Sequence, residues 1–74
     1  MIEAVVVVFS LQSHNMLGTG HFAPPREFVE VKDCMTWLET EEGSRQWHEL
    51  GDGFRGVYSG PVDVVPACLK RNEA

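Results

Sequence analysis

The sequence is poor in basic residues, poor in cysteine and without a long apolar run, and each scarcity removes a class of function. Lysine and arginine together number six against eleven acidic residues, giving a formal net charge of −5. A general nucleic-acid binder neutralises phosphates with clustered Lys and Arg, so that class is set aside. No stretch approaches the roughly 20 apolar residues of a membrane-spanning helix. The N-terminal run does not read as an export signal either. Its apolar part, Ala4 to Phe9, is short, Glu3 stands where a signal would carry Lys or Arg, and no small-x-small cleavage site follows. The chain is therefore expected in the cytoplasm and away from membranes.

Only two cysteines are present, Cys34 and Cys68, and neither belongs to a C-x-x-C pair. They are too few for a dense disulfide scaffold, which leaves two readings. A bridge between them would contribute roughly 3 to 4 kcal/mol by closing a long loop. In a reducing compartment they would instead remain buried or free thiols. His14, His21 and His48 show no zinc-type spacing with each other or with the cysteines, and no His-Glu-x-x-His occurs. Gly18-Thr19-Gly20 and Gly51-Asp52-Gly53 match neither a Walker loop nor a dinucleotide fingerprint. Neither a metal nor another cofactor is expected.

What is there is a single small α+β domain. At 74 residues such a chain buries only about 60 to 65% of the surface its unfolded form exposes, so a staple or a second copy would help it. Residues 5–9, Val-Val-Val-Val-Phe, lack polar alternation and read as a central strand covered on both faces. Residues 16–22 either pair back on it, with Gly18 and Gly20 marking a bulge or a close backbone approach, or form a loop. Pro24-Pro25 is expected to end that segment, and residues 26–32 read as a short extended piece.

Asp33 suits an N-cap for a helix starting at Cys34, and residues 33–50 have helical composition. The apolar pattern breaks at Gly43-Ser44. The helix kinks at Gly43, or a second short helix starts at Ser44, or the chain turns in a hairpin there. Gly51 suits a left-handed C-cap. Residues 54–59 read as a strand candidate, and Gly60-Pro61 as a turn. Residues 62–65 read as a short apolar run that Pro66 confines to an edge strand or a capping segment, and residues 70–74 as a frayed tail. The expected architecture is a small antiparallel sheet with one helix, kinked near Gly43 in the first reading, packed on one face. Its core draws on Val6, Val8, Leu38, Phe54 and Val64, with Trp37 or Trp47.

The functional reading rests on the stretch from Glu30 to Asp52. It carries Glu30, Asp33, Glu39, Glu41, Glu42, Glu49 and Asp52 against Lys32 and Arg45, together with both tryptophans. Trp is over-represented at interface hot spots, and an acidic field speeds association with a basic surface. The leading expectation is a non-enzymatic protein-binding or inhibitory module that engages a larger basic protein through Trp37, Glu41, Glu42, Trp47, Glu49 and Asp52. The alternative is a homodimer with a ligand-binding or simple catalytic cleft served by Cys34, His21 or His48. In that reading Cys34, at a helix N-terminus, would have its thiol activated by the helix dipole.

Overall fold

The structure, a computed structural model, describes residues 1–58 and 60–71. The elements follow in the order β1 (Ile2–Ser10), β2 (Met16–Phe28), α1 (Val31–Glu39), α2 (Glu41–Arg55) and β3 (Val62–Lys70). The three strands form one antiparallel sheet in the order β2-β1-β3, so the Val-rich strand is central. Among the described residues no helix is long and apolar enough to cross a membrane.

Alternation along β1 sends Ile2, Ala4, Val6 and Val8 to the face that carries both helices. There Ile2 and Ala4 join Phe22, Cys34 and Leu38 in one buried cluster, with Trp37, Trp47 and Leu50 packed against it. Val6 and Val8 join Val64 in a second, closed over by Leu50, Phe54 and Tyr58. Of the expected core, Val6, Val8, Leu38 and Val64 are buried and Phe54 is half-buried. Cys34 and Cys68 form a disulfide, with their Cα atoms 6.2 Å apart, and it ties α1 to β3. This removes the free-thiol alternative and with it any role for Cys34 as an activated nucleophile, since neither sulfur is a thiol.

Residues 16–22 do pair back on β1, and Gly20 faces the ring of Phe54, which a Cβ at that position would overlap. Pro24-Pro25, expected to end the strand, does not. The register jumps from Val5↔His21 to Ala4↔Arg26, so four residues bulge out of the ladder and pairing resumes to Phe28. The missing proline donors lie within that bulge, where no ladder bond is required of them. The Ala23–Pro24 peptide is cis. Pro66 sits in an edge strand, because among the described residues β3 pairs only with β1.

The helical region departs from expectation in four respects. Helix α1 starts at Val31 with Glu30 as N-cap, so Asp33 lies inside the first turn, where its charge still suits the dipole. Of the alternatives for residues 33–50, two helices are found, but they separate at Thr40 and the second starts at Glu41, not at Ser44. The Thr40 hydroxyl donates to the Trp37 carbonyl at 2.6 Å and accepts the Gly43 N–H at 3.0 Å, closing α1 and capping α2 with one side chain. Gly43 is required because a Cβ there would run into the Trp37 carbonyl.

Gly51, expected as a C-cap, is in the interior of α2, buried against Val64. Residues 54 and 55 belong to that helix instead of opening a strand, and residues 56–58 turn away from it. Gly60 has φ +116°, a region that side-chain-bearing residues avoid, consistent with the expected turn before Pro61. Of the expected frayed tail, Lys70 closes β3 and Arg71 follows it; residues 72–74, like residue 59, lie outside the described residues.

Candidate functional site

Three surfaces carry chemistry. The first is the outer side of α2. At 100° per residue, Glu41, Arg45, Glu49 and Asp52 fall on one stripe, with Glu42 on its flank, and all are exposed. Its charge is partly engaged: Asp52 pairs with Arg55 at 3.3 Å, and Glu42 accepts from Gln46 at 3.1 Å. Arg45 stands beside Glu41 and Glu42.

The tryptophans do not share this stripe. Trp37 is enclosed by Phe22 edge-on at 5.5 Å and Phe28 at 5.9 Å, with the Arg26 guanidinium 5.3 Å from the ring centroid. That arrangement holds α1 against β2. Trp47 projects from the opposite side of α2 to the acids, packs against both buried clusters and stacks on His48 at 3.8 Å. The sequence-predicted residues thus divide into an acidic stripe on one side of α2 and two half-buried aromatic rings beneath the helices.

The second surface is a groove of about 470 Å³ where α1, α2 and β3 meet. It is lined by Val31, Met35, Leu38, Trp47 and Pro66, with Glu39 and Ser44 at its rim. Met35 and Val31 are 54% and 47% exposed and leave apolar surface open to solvent along the groove. His48, whose Nδ1 donates to the Ser44 carbonyl at 2.6 Å, stands between this groove and the acidic stripe. Sequence reasoning missed the groove because it is made by three elements, and Met35 and Val31 read as ordinary helix residues.

The third is a cleft on the opposite face of the sheet, lined by Glu3, Val5, His21, Pro25, Leu69 and Arg71. Glu3 is the buried acid of the core strand, its side chain 10% exposed, and it accepts from His21 Nδ1 at 2.8 Å. Arg71 forms an ion pair with Glu27 at the same end. The signal for this pair was Glu3 itself, an acid set into a valine strand, and its partner became identifiable only with the β1–β2 register. Neither Cys34 nor His48 is near it: Cys34 is buried under the helices, and His48 lies on α2. Among the described residues no three His, Cys, Asp or Glu side chains are gathered as a metal site.

The fold is a two-layer α+β unit, a three-stranded antiparallel sheet under a disulfide-tied helix pair. No family model, no curated protein and no solved structure matches the chain.

Proposed function

We propose that this chain is a non-enzymatic binding module that captures a basic, amphipathic segment of a larger protein along α2. The observation that carries the reading is the adjacency of an apolar groove and an acidic margin. Met35, Leu38, Trp47 and Pro66 offer a slot for an apolar anchor with Glu39 at its rim, and the stripe of Glu41, Glu42 and Glu49 runs along the outer side of α2, beyond His48. Hot-spot anchoring and electrostatic steering then come from neighbouring parts of one surface. Trp47 acts as a wall of the slot, not as a projecting anchor. The Cys34–Cys68 bridge supports action in an oxidising compartment, where such bridges persist, in place of the cytoplasm expected from the sequence.

The test is selection of peptides from a random library on the wild-type protein. Binders are expected to carry Lys or Arg around an apolar residue. Their affinity should fall about tenfold or more in E41K/E42K and in Met35→Glu, and should weaken with added salt. Binders without basic enrichment, or binding indifferent to both variants, would refute the proposal.

A further inference from the structure

The central strand is apolar on both faces, yet both helices lie on one. On the other face β1 presents Glu3, Val5, Val7 and Phe9, flanked by Leu17, Thr19 and His21 on β2 and by Val65, Ala67 and Leu69 on β3. Neither helix lies on this face. Its centre is already buried within one copy, with Glu3, Val5 and Val7 at 8%, 0% and 7% exposure and Pro25, His21, Leu69 and Arg71 around Val5, whereas Leu17, Leu69 and Met16 at its margin stand 43%, 45% and 62% exposed. A strand with apolar residues on both sides ordinarily belongs to a sheet covered on both sides.

We infer that this face is the contact surface of a homodimer, two sheets packed face to face around a two-fold axis. Charge selects a second copy as the occupant. The acids of α1 and α2 lie on the helix side. The acids at the margin of the open face each have a partner: Glu3 is hydrogen-bonded by His21, Glu27 is paired with Arg71, and Asp63 shares the Arg55 guanidinium with Asp52, while Lys70 lines the same cleft as Glu3. A chain of net charge −5 can therefore approach its own copy here with little repulsion. The two acidic stripes then point outward, separated by nearly twice the molecule's 19 Å short axis. That spacing is several Debye lengths at physiological salt, about 8 Å each.

Area sets the strength. Three strands about 4.8 Å apart and roughly nine residues long give a face of about 400 Å² in plan on each copy. The pair, about 800 Å² in plan, lies below the standard size of specific interfaces, so the contact is a weak one that forms at micromolar concentrations or above. The contact is isologous, so each residue near the axis meets its own counterpart. It also places the partner copy over the mouth of the Glu3–His21 cleft, so that cleft is completed only in the dimer.

Sedimentation equilibrium from about 1 μM to 1 mM tests the inference across the expected affinity. The wild-type mass should rise with concentration from 8.3 kDa to twice that value. Leu69→Glu and Thr19→Arg, each checked for a native far-UV spectrum, should weaken association about a hundredfold. E41K/E42K, on the opposite side, should leave the dimer intact or tighten it. On dilution, amide NMR shifts should change along Val5, Val7, Thr19 and Val65 and not along α2. A monomer throughout the range would overturn the inference, as would a dimer that survives both sheet-face variants or is lost in E41K/E42K. The peptide-binding proposal is untouched by any of these results, since its groove lies on the other layer.

Discussion

Two glycines of α2, two residues apart, should respond with opposite sign to the same substitution. In the middle of a helix, glycine is worse than alanine by roughly 0.5 to 1 kcal/mol, because it loses more backbone freedom on folding. At Gly53 an added Cβ meets nothing within 4 Å. Gly53→Ala should therefore stabilise the protein by about 0.5 kcal/mol, the low end because the helix ends at Arg55. At Gly51 the same methyl would stand 2.8 Å from Val64 Cγ1 and 3.2 Å from its Cβ. Carbon atoms rest at about 3.5 to 4 Å, so the contact is short by most of an ångström.

Val64 cannot easily yield, being 3% exposed and β-branched, with few χ1 alternatives. Separating α2 from β3 is the remaining relief, and the bridge between α1 and β3 resists it. Overpacking of this kind costs about 1 to 3 kcal/mol, which outweighs the propensity gain. Gly51→Ala should come out about 0.5 to 2 kcal/mol less stable than wild type, and about 1 to 2.5 kcal/mol less stable than Gly53→Ala. Urea unfolding followed by tryptophan fluorescence measures both, and in a chain of this size the gap is roughly 5 to 20 °C in Tm. Equal stabilities, or Gly51→Ala the more stable, would refute the close approach of α2 to β3.

Two further outcomes follow from the covalent and polar links across the sheet. Reduction of the bridge frees a loop spanning 34 positions. The chain-entropy model puts the loss at about 4 kcal/mol, against a total of about 4 to 11 kcal/mol for a chain of this length. The urea midpoint with reductant should fall by a third or more, and an unchanged midpoint would sink that estimate. His21→Ala removes the donor to a carboxylate whose side chain is 10% exposed. It should cost about 1 to 3 kcal/mol, and His21→Gln, which keeps a donor, should recover part of that in the same assay. Equal losses in both variants would mean that His21 acts through packing and not through the hydrogen bond.

The local pattern of residues was enough to determine the central strand and to mark the last one as a sheet edge, though not the length of β2 or the helical end of residues 54–59. Four consecutive valines demanded a central strand, two glycines between apolar residues offered a close pairing partner with a loop as the other reading, and Pro66 kept the last run from the sheet interior. These are properties of single residues and near neighbours, and composition carries them. The acidic character of the helical region was equally legible, because charge needs no fold to be counted.

Tertiary structure decided the rest. The helix break moved to Thr40 because its hydroxyl is within reach of both Trp37 and Gly43, and Gly43 lies in the first turn of α2, where the Trp37 carbonyl leaves no room for a side chain. Gly51 looks like a stop signal locally, but it is a helical residue that must lack a side chain beside Val64. The two thiols were joined only once β3 returned alongside β1 and brought Cys68 to α1. The division of the proposed site followed the same rule. Residues at neighbouring positions, Trp47 and Glu49, emerge on opposite sides of one helix, whereas Glu3 and His21 meet across a strand register that no local pattern encodes. Sequence records what each residue prefers; which of those preferences share a surface depends on long-range packing.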